Sequence, residues 1–185
     1  MNGKKEFILK MLAERKTTLY RIPARFKDDK DVAEACVRQN AMNLKFLKNF
    51  QDDKDIVKLA VSILGKTVKF ASSRLRDDDE IGYIVAKKSG QIKYLSTRLR
   101  SKRNLVMLAV EKEPFCLEFV HPKFRKDREI ILKAVNIDGR ALMFACEEFK
   151  DDIEIVEQAV KENFYALHYA SARVQEILSK DFERE

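Results

Sequence analysis

Asp77-Asp78-Asp79-Glu80 and Asp28-Asp29-Lys30-Asp31 are the residues of this chain that most invite a chemical role. Clustered carboxylates can hold a divalent cation through oxygen ligands. The same kind of cluster returns at Asp52-Asp53-Lys54-Asp55 and at Asp151-Asp152-Ile153-Glu154. Acids recurring at the start of nearly every copy of a pattern are explained by helix capping, because the first N–H groups of a helix and its dipole favour negative charge. No metal site is expected from them. His121 precedes Pro122 and lies five residues after Cys116. That is not a zinc spacing, and no second ligand pair accompanies it. His168 falls between apolar positions and reads as a surface residue. Five glycines in all leave no phosphate-cradling loop. The residues therefore point to no catalytic group, no cofactor and no small-molecule substrate.

The recurrence itself is the stronger signal. Copies open at Phe26, Phe50, Leu75, Leu99, Phe124 and Phe149, in steps of 24 or 25 residues. A fixed period of this length marks stacked repeats. Within each copy, apolar residues at positions 7, 8, 11 and 12 form one helical stripe, as in Ile56, Val57, Ala60 and Val61. Position 3 (Asp28, Asp52, Asp77, Ser101, Lys126, Asp151) is expected to cap that helix, with an acid three residues on. At Lys126 the cap passes to Asp127. Gly65, Gly90 and Gly139 are expected to end their helices in the left-handed conformation, and Pro114 to end another. A second helix of about two turns should follow. It carries Leu44, Val68, Ile92, Leu117, Leu142 and Leu167, and two residues on Phe46, Phe70, Tyr94, Phe119, Phe144 and Tyr169. The aromatic column is expected to form a buried spine. Single short helices are marginal in water, so neighbouring copies must bury each other's stripes.

Asn163 to Ser171 match most closely, and Gly139 to Ala145 and Gly65 to Ser72 match well, the unit of a bacterial repeat family: an Asp-rich helix start, a Val-rich helix, then Gly or Asn, Ala-Leu, an aromatic, Ala and Ser. Over residues 26–171 the chain resembles the family known as domain of unknown function 4116. The resemblance implies helical repeats of bacterial or phage-related proteins, some of them effectors, and brings no catalytic residues.

The expected architecture is an all-α solenoid of about seven short helix pairs, forming one domain over residues 1–185. Residues 1–25 read as a degenerate first copy, with Phe7, Ile8, Met11 and Leu12 on the stripe, Leu19 on the second-helix column, and Arg21 in place of the aromatic. Pro23 marks the break before six repeats over 26–171. Residues 172–185 form a closing helix through Val174, Ile177 and Leu178, with Glu183 to Glu185 fraying. At 8–10 Å between helices the array would be on the order of 60 Å long. No apolar run is long enough to span a membrane, and no signal peptide is legible. Three scattered cysteines suit a reducing compartment, so a cytoplasmic protein is expected, or one delivered to a host without a cleavable signal.

The net charge of +7 is uneven: +5 over residues 1–25, 0 over 26–85, +7 over 86–125 and −5 over 126–185. Arg74, Arg76, Lys93, Arg98, Arg100, Lys102 and Arg103 form a basic stripe that could track phosphates of a nucleic acid or another polyanion. The competing reading is a solvated face pairing with neighbouring Asp. The aromatic column, read as core, offers no stacking platform beside it. Farther on, Phe115, Arg140, Met143, Phe164, Tyr165 and His168 compose an apolar patch with a polar rim, the composition of a protein-binding surface. The sequence thus points to a non-enzymatic scaffold for a protein partner. Polyanion binding, and a structural part in a phage particle or a secreted effector, are the alternatives.

Overall fold

The computed structural model describes residues 2–182; the expected fraying of 183–185 lies outside the described residues. It is an all-α repeat fold, with no strand among the described residues. The chain divides into two compact units, residues 1–89 with 94–99, and residues 90–93 with 100–185.

In the first unit, the stripe helices are Asn2–Ala13, Lys30–Gln39, Lys54–Ile63 and Asp79–Ser89, each packed on the next. In the second they are Arg103–Val110, Arg128–Val135 and Ile153–Glu162, followed by Ala172–Phe182. The stripe is the core. Ile56, Val57, Ala60 and Val61 are buried, as are Ile130, Ile131, Ala134 and Val135. The first copy is less complete: Leu12 is buried, while Ile8 and Met11 are half-buried and Phe7 is exposed.

Four helix caps, at Asp29, Asp53, Asp78 and Asp152, lie one residue later than the sequence suggests, while Asp127 caps its helix as expected. Asp29, Asp53, Asp78, Asp127 and Asp152 each accept from backbone N–H groups at the helix start, as Asp53 does from Asp55 (3.0 Å) and Ile56 (3.1 Å). Two adjacent aspartates offer equivalent oxygens, and only the backbone turn chooses between them. The preceding aspartate closes the repeat on itself. Asp52 accepts from Ser72 Oγ and from Arg74 Nε at 3.1 Å. Asp77 does the same with Ser96 and Arg98, and Asp151 with Ser171 and Arg173. A backbone bond runs beside each clasp, such as Ser72 N–H to the Gln51 carbonyl at 2.7 Å.

The cap aspartates also receive a cation from the copy before. Lys5 bridges Asp29 and Asp31, Lys30 bridges Asp53 and Asp55, and Lys54 bridges Asp78 and Glu80. In the second unit, Arg103 bridges Asp127 and Glu129, and Arg128 bridges Asp152 and Glu154. The acid clusters are thus spent on capping and on cross-repeat ion pairs.

The second segment is a 3-10 helix rather than an α-helix: Ala41–Lys45, Gly65–Phe70, Ile92–Tyr94, Pro114–Glu118, Gly139–Phe144 and Phe164–Tyr169. At three residues per turn, positions i and i+3 share a face. Leu44 and Leu47 therefore both point inward, as do Leu117 and Val120, and Leu142 and Ala145. The aromatic two residues after the first member is turned off that face. Phe46 is exposed, and Phe70, Tyr94, Phe119, Phe144 and Tyr169 are half-buried. The expected spine is instead a partly open aromatic row.

The glycines also act differently from expectation. Only Gly90 has a positive φ, of 64°. At Gly139 a Cβ would lie 1.9 Å from the Ala159 carbonyl oxygen, and at Gly65 it would lie 2.0 Å from Ser89 Oγ. Those two admit the next helix rather than a left-handed turn.

Candidate protein-binding face

All six residues of the apolar patch lie in the second unit. Pro114–Glu118 packs on Gly139–Phe144, which packs on Phe164–Tyr169. Asp138 starts the middle one by accepting the Arg140 N–H at 3.0 Å. It then accepts from Arg140 Nε at 3.0 Å and from Nη2 at 2.6 Å. Arg140 beside it holds the Asp138 carboxyl below its usual range, against partial burial. So fastened, the guanidinium lies over the Phe115 ring, 5.3 Å from its centroid. Phe115 meets Phe144 edge-on at 5.8 Å.

On the adjacent 3-10 helix, Tyr165 and His168 rings lie 6.3 Å apart. Phe164 and Tyr165 are 59% and 69% exposed, and Met143 is 40% exposed. Burying such side chains in a partner's surface would remove their apolar area from water. A shallow cleft of about 240 Å³ lies beside Phe115, bordered by Lys93, Glu113, Glu118 and Phe119. Phe144 belongs with this group; its assignment to a buried spine concealed it.

The seven residues of the basic stripe divide between the two units. In the first, Arg74 is held by Asp52, and Arg98 by Asp77 and Asp79. Arg76 is half-buried, and its Nε has no hydrogen-bond partner among the described residues. In the second, Arg103 is held by Asp127 and Glu129. Arg100 Nη1 donates to the Phe119 carbonyl at 2.7 Å, Lys93 lies 5.8 Å from the Phe119 ring centroid, and Lys102 is half-buried at a helix start. The residue after a copy's opening Phe or Leu, as Arg100 is, serves the chain itself elsewhere too: Gln51 donates to the Leu44 and Lys45 carbonyls, and Arg125 to those of Leu117 and Glu118.

His121 Nδ1 accepts the Lys123 N–H at 3.3 Å, and Cys116 is buried. Among the described residues, no three His, Cys, Asp or Glu side chains converge to hold a metal ion. No helix among them is long and apolar enough to cross a membrane. A cleft of about 390 Å³ against the first helix is lined by apolar groups such as Phe7, Met11 and Phe26, with Lys4, Arg21 and Arg25.

No curated protein and no solved structure matches the chain. A family model does match, five times, over residues 4–51, 53–100, 83–125, 102–150 and 127–175, and these overlapping matches tile the repeats described above. The chain belongs to the family described as domain of unknown function DUF4116.

Proposed function

We propose that the chain is a non-enzymatic repeat scaffold that binds a protein partner on the 3-10 edge of its second unit. The supporting observation is the set of Phe115, Arg140, Met143, Phe164, Tyr165 and His168 on three adjoining 3-10 helices. Phe164, Tyr165 and Met143 remain exposed although the stripe already supplies a buried core. Aromatic side chains and arginine are the residues most often found as binding anchors. Arg140 serves here as a flat, pre-fastened platform, because its charge is already met by Asp138. The three free cysteines, two of them buried, fit a reducing compartment.

A polyanion on Arg74, Arg98 and Arg103 would first have to displace Asp52, Asp77 and Asp127. The protein reading carries no such cost. It is tested by capture from a lysate of the source cell, comparing the native chain with a Phe115→Ala, Met143→Ser, Tyr165→Ser variant. A partner recovered by the first and lost with the second supports the reading. Recovery of the same proteins by both refutes it.

A further inference from the structure

The first unit segregates its charges along the repeat. All 11 acids between residues 26 and 85 lie in 28–34, 52–55 and 77–80, at the helix starts. The connecting stretches 15–27, 40–50 and 64–76 hold 11 Lys and Arg and no Asp or Glu. The helix-start acids are matched locally by Lys5, Lys30 and Lys54. The cations of the 3-10 edge are not: Lys45, Lys48, Lys66 and Lys69 are all exposed and engage no carboxylate among the described residues.

Aromatic rings are interleaved with these cations. Lys45 lies 5.4 Å from the centroid of Phe46, and Lys69 4.9 Å from that of Phe70. Tyr20, 69% exposed, meets Phe46 edge-on at 5.3 Å, and the Ala41–Lys45 and Gly65–Phe70 helices are packed together. The edge from Leu19–Arg21 to Gly65–Phe70 is therefore one surface.

We propose that this surface binds single-stranded nucleic acid, with Lys45, Lys48, Lys66 and Lys69 following the phosphates and Tyr20 receiving a base on its open face. An uncompensated row of cations selects a polyanion. An exposed ring among them distinguishes a nucleic acid from an acidic peptide, since every base has a face that stacks and a carboxylate chain has none. This surface shares no residue with the aromatic patch of the second unit, so the two proposals stand or fall apart.

The test is fluorescence polarisation of an end-labelled 20-nucleotide oligo-dT with the full chain, at 50 and 200 mM salt, with circular dichroism on each variant. Four phosphate contacts predict roughly fifty-fold weaker binding at the higher salt. The Lys45→Ala, Lys48→Ala, Lys66→Ala, Lys69→Ala variant should lose that salt dependence and bind at least about tenfold more weakly at 50 mM. Tyr20→Ala should weaken binding about fivefold or more at either salt and leave the salt dependence unchanged. Absence of binding at 50 mM, or binding that survives the four lysine changes, overturns the proposal. So does poly-glutamate displacing oligo-dT at equal charge with Tyr20→Ala silent, which would assign the surface to an acidic protein segment.

Discussion

Asp53 holds two structures together at once. Its carboxylate accepts the Asp55 and Ile56 N–H groups at the start of one helix and receives Lys30 from the helix before. Partial burial pushes this carboxyl up, but Lys30 and the backbone N–H groups together hold it below the usual range. Asp29 and Asp127 are lowered chiefly by Lys5 and Arg103, in each case against partial burial. The unfolded chain, with ordinary aspartates near pKa ~3.9, then binds more protons in acid than the folded one. The contribution of these caps is complete above that value and is lost as pH falls through the lower folded values. Asp53→Ala should cost about 1 kcal/mol at pH 7 by urea unfolding, and less at pH 2.5. Asp53→Asn keeps a capping oxygen, loses the Lys30 pair, and should show a shallower loss of stability in acid than the native chain. At the other extreme, burial pushes the thiols of Cys36 and Cys116 up to about 11 and about 12. A disulfide reagent at pH 8 should therefore leave Cys36 and Cys116 unmodified in the folded chain and reach them only after denaturation. The recurrence of Asp was plain in the sequence. Which of two neighbouring aspartates caps was not, because the choice depends on a backbone turn that both residues share.

The 3-10 helix is the element that most changes the picture. The 24–25-residue period and the apolar stripe of the longer helices are legible from residue types alone. The short second segment is not, since six residues carry too little pattern to separate three residues per turn from 3.6. That difference moves Phe46 from a supposed spine to the surface and leaves Phe144 half-buried, and both join the candidate faces. Glycine was similarly legible in position but not in role. Gly139 lies against the Ala159 backbone, whereas a Cβ at Gly3 would meet nothing within 4 Å. Gly139→Ala should destabilise by roughly 3 kcal/mol, because the clash is with a carbonyl that cannot rotate away. Gly3→Ala should be neutral or stabilising by up to about 1 kcal/mol, through helix propensity. Thermal unfolding of the two variants measures the contrast.

Across the whole molecule, the buried stripes outweigh the ion pairs in stability. The cross-repeat pairs are largely exposed, with Lys30 and Asp55 at 48% and 82% side-chain exposure, and salt screens such pairs. The chain should keep its helical circular dichroism in 1 M sodium chloride. Ile131→Ala, at a fully buried position, should instead cost about 2–5 kcal/mol. The pairs join each copy to the next and occupy the helix-start acids. The proposed binding surfaces accordingly lie on the 3-10 helices of each unit. The uneven charge along the chain was readable from composition, but its division between helix starts and 3-10 edge in the first unit emerges only once the elements are placed.

The most direct test replaces a single side chain by a photo-crosslinking amino acid, at Tyr165 on the 3-10 edge or at Glu157 on the exposed side of the Ile153–Glu162 helix. Irradiation in the source cell should give a discrete protein adduct from position 165, absent from position 157 and lost when Met143→Ser is added. Equal adducts from both positions, or an adduct from 157 alone, would contradict the account.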